Sequence, residues 1–299
     1  LYTGPTTILH NLRKTVERAG ISVENIIISP LAMTKSVLNE GEREFGATVI
    51  DMGGGQTTVA SMRAQELQYT NIYPEGGEYV TKDISKVLKT SLQIAEALKF
   101  NFGNANVREA SATDSVQVEV VGSDTPVDVT EKYLAEIISA RIKHVLERVK
   151  QDLERGRLLE LPGGIVIVGG GAILPGVVEI AQEVFGTKVK LFVPHQVGIR
   201  NPMFANVIGL VEYVGTLTDV DIIAQSAVTG EEILRRKPID LGPNYTMPNQ
   251  QQQLLQNDFA FNDANRFDEE VNIQEAPKPS EPKQNIGDRV RGLFGSMFD

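Results

Sequence analysis

The sequence predicts an α/β fold. Apolar strands alternate with amphipathic helices over roughly the first 215 residues. Two of the strands lead into a glycine triplet: Gly53-Gly54-Gly55 follows residues 47–50 after Asp51-Met52, and Gly169-Gly170-Gly171 directly follows residues 165–168. Alternation of this kind builds helices onto a largely parallel sheet. A glycine turn at a strand end lets the backbone approach a ligand closely, and successive N–H groups in such a turn form an anion-binding concavity.

Taken in order, residues 6–20 read as an amphipathic helix closed by Gly20, and residues 25–28 read as a strand. Ser29-Pro30 opens a helix through residue 37, and residues 47–50 form the strand that feeds the first triplet. Residues 58–62 and 66–73 then read as a strand pair, giving the strand-turn-strand shape of a phosphate-holding hairpin. From 77 to 160 the pattern turns mostly helical, with apolar residues spaced by three and four in 82–100 and 129–159 and a short β-like insert at 116–121. In the second of these helices the stripe is Tyr133, Ile137, Ile138, Ile142, Val145 and Val149. The α/β pattern returns with the second triplet, a helix through residue 185 and a strand at 189–193. Asn201-Pro202 supplies a cap and first-turn proline for a helix at 203–213.

Composition narrows the chemistry. The formal net charge of −10 and the lack of a basic stripe argue against nucleic acid as the main partner. With no cysteine there is neither a disulfide framework nor thiolate chemistry. His10, His144 and His195 lie far apart, without metal-ligand spacing. No stretch is long and apolar enough to cross a bilayer, and no signal peptide is visible. The chain begins at Leu1 and enters a helix almost at once, which reads as a fragment of something longer.

Asp51 stands two residues before the first triplet. Bare phosphates would repel a carboxylate there, so the turn points to phosphate accompanied by Mg²⁺ and its waters. Past residue 214 the folded pattern fades. Residues 216–284 hold a run of four glutamines, Pro277, Pro279 and Pro282, and more acids than bases, the composition of a disordered linker with a mean span of roughly 45 Å. The last residues differ: Ile286, Val290, Leu293, Phe294 and Met297 fall on one helical stripe, which Phe298 widens. So short a helix on a linker folds only against another surface. A membrane interface is the natural candidate, with docking on the protein or on a partner as the alternative. Arg289 and Arg291 are its only bases, so binding depends on inserting Phe and Leu more than on charge, and on several tails acting together.

Two glycine turns with a helical insert between them resemble the second half of the actin-like nucleotidases, the group of actin, the large heat-shock chaperones and sugar kinases. In that resemblance Asp51, Gly53, Gly54, Gly55, Gln56 and Thr57 match the second phosphate loop. Gly169, Gly170, Gly171 and Ala172 match the adenosine loop, and Glu96 and Lys99 match the acid and base that contact ribose and adenine. Taken alone, Glu96 and Lys99 are charges near one helical face. The segment from Glu24 to Ala32, then Ser36 to Gly46, then the phosphate loop, together with the apolar tail on its linker, narrows the resemblance to FtsA, the actin-like family of bacterial cell division. The resemblance covers residues 1 to about 215 and reappears at the tail; the linker carries none.

The resemblance implies a layout. Residues 1–45 are the remainder of a first lobe, and 46–76 with 161–198 form the core of the second. Residues 77–160 form an inserted subdomain that holds the C-terminal peptide of FtsZ, 199–215 a helix returning to the first lobe, 216–284 the linker, and 285–299 a membrane-targeting helix. It implies ATP with Mg²⁺ held by Asp51 through water, head-to-tail self-assembly, and anchoring of FtsZ filaments to the cytoplasmic face of the membrane at the septum. Recruitment of later division proteins follows from the same resemblance. Lys82, Lys86, Arg141 and Lys143 are candidates to attract an acidic peptide. Two departures matter: the first phosphate loop would precede Leu1, and Gln56 stands where the family often has threonine, leaving Thr57 or Thr58 to substitute. No residue is a convincing general base, so hydrolysis is at most slow. The rival readings are an actin-fold sugar kinase or active ATPase, and a pilus-assembly actin-like protein lacking the terminal helix.

Overall fold

The computed structural model describes residues 5–229, apart from 24, 124 and 197. The predicted membrane helix, with Ile286, Val290, Leu293, Phe294, Met297 and Phe298, lies outside the described residues, as does most of the predicted linker.

At the centre is a five-stranded sheet in the order β3-β2-β1-β6-β7, formed by β1 (Ala47–Met52), β2 (Thr57–Arg63), β3 (Glu66–Tyr73), β6 (Ile165–Val168) and β7 (Val189–Leu191). The sheet is mixed where the sequence pattern predicts a largely parallel one: β1, β2 and β3 pair antiparallel, and β6 and β7 join parallel to β1. In the antiparallel half, residues 53–56 join β1 to β2, and a two-residue turn joins β2 to β3, where Ala64 and Gln65 both take positive φ (52° and 61°). Such turns match the twist of paired strands but normally call for glycine or asparagine. Here the Ala64 and Gln65 N–H groups donate to the Glu44 and Arg43 carbonyls of α3 (Glu40–Phe45), which holds the turn from outside. The α3 helix is itself started by a capping box between Asn39 and Glu42.

Residues 25–28, expected as a strand, belong to neither sheet. An apolar run becomes a strand only where a neighbour supplies the hydrogen-bond ladder, and no described strand lies beside it.

Helices cover both faces, as alternation along β1 requires. Ile50 and Met52 face a core built with α4 (Gly77–Leu88), α5 (Leu92–Phe102), α6 (Glu131–Arg155) and α7 (Val177–Phe185). Ala47 and Val49 face a smaller core with α2 (Ser29–Val37). On that side α8 (Ala205–Thr216) crosses α2 at Gly209, where a Cβ would sit 2.9 Å from the Met33 Cα. Helix α1 (Thr6–Arg18) buries none of its residues.

The helical stretch expected at 82–100 divides into α4 and α5. Lys89 turns left-handed (φ 53°) to end α4, and the Ser91 hydroxyl caps α5 by accepting from the Ile94 N–H at 3.2 Å. The polar β insert is a hairpin of β4 (Ser115–Val118) and β5 (Val127–Thr130), after which Thr130 caps the 25-residue α6. Of the α6 stripe, Ile138, Ile142, Val145 and Val149 are buried, whereas Tyr133 is exposed. Helical order continues past residue 216 into α9 (Asp219–Thr229), because the Thr218 hydroxyl and the Asp221 N–H bond each other across its first turn. Among the described residues no helix is long and apolar enough to cross a membrane.

Candidate functional site

Strands β1 and β6 run parallel and in register, with Asp51 beside Val168, so both glycine turns leave the sheet at the same end. Ligands in open α/β sheets gather at this carboxyl end, where neighbouring connections depart to opposite sides.

The first turn closes on itself through Gly53 N–H to the Gln56 carbonyl (2.9 Å). The Gly53 and Gly54 carbonyls then accept from Gly77 and Glu78 N–H (2.9 and 2.8 Å), satisfying donors that begin α4. The approach is so close that a Cβ on Gly76 would stand 2.4 Å from the Gly53 oxygen and 2.5 Å from that of Gly54. The segment 75–77 is thus a strap across the turn. It uses the turn's carbonyls, and among the described residues no backbone bond engages the N–H groups of Gly54 or Gly55. Both glycines are exposed and open into free space.

Lys99 and Glu96, from the next helix, reach the same place. The Lys99 ammonium donates to the Gly77 carbonyl (3.2 Å), the Thr81 hydroxyl (2.8 Å) and Glu96 Oε2 (2.8 Å). Burial alone would raise the Glu96 carboxyl's pKa, but the hydrogen bonds from Lys99 and Thr81 outweigh it and leave Glu96 below its ordinary value.

The second turn is packed rather than open. Gly169 has φ 92°, and a Cβ there would lie 2.3 Å from Asp51 Oδ1 and 2.6 Å from the Met52 oxygen. A Cβ on Gly171 would lie 2.9 Å from the same Met52 oxygen, and Ala172 is buried with its N–H donating to the Gly169 carbonyl. Gly169 in turn donates to the Pro202 carbonyl (3.2 Å). Asp51, between the turns, accepts from the Asn206 side-chain amide (3.0 Å), and burial pushes its carboxyl above the ordinary value.

The structure therefore brings together Asp51, Gly53, Gly54, Gly55, Glu96, Lys99, Gly169, Gly170 and Gly171 at one end of the sheet. Thr57 differs from expectation: it is buried, and its hydroxyl donates to the Glu75 carbonyl (2.8 Å), securing the strap. Gln56 is exposed, with its amide on the Thr58 hydroxyl (3.3 Å).

Two family models match, "Cell division protein FtsA" over residues 48–209 and "Cell division protein FtsA, C-terminal" over residues 220–299. The chain belongs to the FtsA family of cell division proteins. The second model covers the segment read as a featureless linker, so the family pattern extends where composition alone shows none. Similar proteins include the cell division protein FtsA of Streptococcus pneumoniae, 58% identical over 100% of this chain and 65% of its own length. That of Enterococcus hirae is 45% identical over 100% and 64%, and that of Escherichia coli 33% identical over 71% and 54%. The chain thus spans just under two thirds of the length of the first two.

The fold of this FtsA-family chain is actin-like. It resembles MreB5 of Spiroplasma citri bound to ADP (TM-score 0.60, 15% identity, 76% of this chain and 69% of that one). It also resembles a MamK double helical filament (TM-score 0.52, 16% identity, 72% and 66%).

Sequence reasoning missed three structural features of this FtsA-family chain. One is Asn206, the single polar residue in an otherwise apolar stretch from Ala205 to Val211. The second is the Glu75 strap: its carboxylate, 12% exposed, is held by Arg141 (2.7 Å) and by Arg148, with His144 at 3.8 Å. The third is a groove of about 680 Å³ between α4 and α6, lined by Asp83, Lys86, Val87, Ile137, Arg141 and His144. Of the four cations expected to attract an acidic peptide, Lys86 and Arg141 line this groove. Lys143 pairs instead with Glu183 of α7 (3.4 Å), and Lys82 with Glu78 (3.8 Å). Arg141 is committed to Asp83 and Glu75, and those bonds, to Asp83 first, raise its pKa.

Proposed function

We propose that this chain is part of a bacterial cell-division adaptor that binds ATP with Mg²⁺, self-assembles, and anchors FtsZ filaments to the cytoplasmic face of the membrane at the septum while recruiting later division proteins. The observation that carries the reading is the convergence of two glycine turns, Asp51 and the Lys99–Glu96 pair at one end of the sheet. The free N–H groups of the first turn suit phosphate oxygens. The close-packed second turn suits a flat adenosine lying against backbone. The neighbours bound to ADP and to AMPPNP support the nucleotide, and the MamK filament supports self-assembly.

Mg²⁺ fits the residues present. Burial raises the Asp51 carboxyl's pKa with no offsetting cation among the described residues, so a hydrated divalent ion would supply the charge that keeps it ionised. When bound, the ion screens the phosphates from Asp51. The chain's own residues hold the phosphates through backbone N–H groups, orient Asp51 through Asn206, and present Lys99 and Glu96 to the sugar side. Catalysis is slow or incidental. The groove between α4 and α6, apolar at Val87 and Ile137 and cationic at Lys86, is the seat for the acidic FtsZ C-terminal peptide. The terminal stripe Ile286, Val290, Leu293, Phe294, Met297 and Phe298 is the membrane contact.

The nucleotide reading is tested by titrating a fluorescent ATP analogue, with and without Mg²⁺, into the protein taken to the full length of its relatives. Saturable Mg²⁺-dependent binding is expected, and its absence ends the reading. For the tether, the intact chain and a version ending at residue 284 are sedimented with anionic liposomes. The shorter chain should stay in solution, and equal behaviour would remove the membrane role.

A further inference from the structure

The link between α8 and the strand end extends the nucleotide reading, on which it rests. Asn206 sits 155 positions from Asp51, yet its Nδ2 donates to Asp51 Oδ2 at 3.0 Å. Its other polar atom, Oδ1, is buried and has no hydrogen-bond partner among the described residues. An unpartnered buried acceptor costs roughly 1–3 kcal/mol, so it calls for a donor from outside the described chain. Asn206 is also held firmly in place. One turn further along α8, Gly209 brings the helix backbone against α2, and just before α8 the Pro202 carbonyl accepts from Gly169 of the second turn. With the helix backbone fixed on both sides, the bond to Asp51 holds the amide in the orientation that leaves Oδ1 without a partner among the described residues.

We propose that Asn206 is a positioning residue of the metal-nucleotide site: its N–H orients the Asp51 carboxylate, and its buried Oδ1 accepts from a water of the hydrated divalent cation. Metal-bound waters are strong donors, and a cation such as Mg²⁺ keeps several of them, so an acceptor pair of one carboxylate and one amide oxygen suits its outer shell. Because α8 rests on α2, the same bond ties the occupancy of the cation to the helix pair on the opposite face of the sheet.

The test is a Mg²⁺ titration of ATP-analogue affinity in the protein at the full length of its relatives, for the parent, Asn206→Ala and Asn206→Asp, with the thermal midpoint followed in parallel. Asn206→Ala should leave affinity in EDTA within about twofold of the parent while raising the half-saturating Mg²⁺ roughly tenfold, the loss expected when an outer-shell partner of a metal site is removed. Asn206→Asp restores an acceptor without the donor and adds charge, so its half-saturating Mg²⁺ should fall below that of Asn206→Ala and its midpoint should rise with added Mg²⁺. A purely structural asparagine would weaken metal-free and metal-loaded binding alike. The proposal is overturned if both variants keep the parent's half-saturating Mg²⁺ while the parent binds in a Mg²⁺-dependent way. Lack of nucleotide binding by the parent overturns the underlying reading as well.

Discussion

The two glycine triplets look alike in the sequence and do opposite work in the fold. Gly54 and Gly55 have nothing within 4 Å of where a side chain would begin, whereas Gly169 and Gly171 are pressed against Asp51 and Met52. In the first turn glycine leaves open space and, among the described residues, N–H groups that no backbone acceptor engages. In the second it lets two strand ends close on each other, and one of its residues needs a φ of 92° that other residues rarely adopt. Each turn is also secured by the start of a helix, with opposite polarity. The first gives its carbonyls to the N–H groups of α4, and the second gives an N–H to the carbonyl of Pro202, ahead of α8. Similar motifs therefore do not imply similar tolerance.

Substitution should separate them, with the largest effect in the packed turn. Gly169→Ala combines a strained φ with overlap onto backbone and carboxylate, and should cost about 3 kcal/mol or more in urea denaturation. A cost under about 1 kcal/mol would show that the two turns are equivalent after all. Gly76→Ala should come next, at about 2 kcal/mol, because its φ of −140° is ordinary and only the contact with the first turn is lost. Amide exchange at Gly77 and Glu78 should speed up in that variant, and unchanged exchange would mean that the strap does not hold the turn.

Asp51→Asn tests the carboxylate between the turns. A carboxyl whose folded pKa is raised above 3.8 binds more protons folded than unfolded, so its burial weakens the fold as pH rises through that window. The variant should melt higher than the parent at pH 7, with the gain shrinking as pH falls towards 4. A lower melting point at pH 7 would mean that the Asn206 bond outweighs desolvation. The smallest effect on stability is expected for Gly54→Ala, within about 0.5 kcal/mol of the parent plus a small entropic change. Its consequence should appear in ATP-analogue affinity instead, and a loss of stability comparable to Gly169→Ala would erase the difference between the two turns.

Much of this was legible in the chain itself because the signals are local. A strand running into glycines, the Asn201-Pro202 cap and the stripe along α6 each depend on residues a few positions apart. The errors came where a local signal needs a distant partner. Residues 25–28 have the composition of a strand but no described neighbour to pair with. The β2–β3 strand pair is legible in the sequence, but the turn that joins it without glycine depends on α3 holding Ala64 and Gln65 at positive φ. Thr57 reads as a phosphate-facing hydroxyl until the backbone carbonyl of Glu75, 18 positions away, accepts its hydrogen bond.

By itself, then, the sequence determined the α/β class, the order of nearly all elements, the two turns and the resemblance that the family models bear out. These depend on backbone dihedral preferences and hydrophobic period, which neighbouring residues set. Only the tertiary structure decided which glycines face open space and which face backbone, that Arg141 is already engaged by Asp83 and Glu75, and that Asn206 meets Asp51. Those outcomes depend on how closely packed layers bring chain-distant groups together. That distance is set by helix and sheet packing across the whole core, and no short stretch of sequence encodes it.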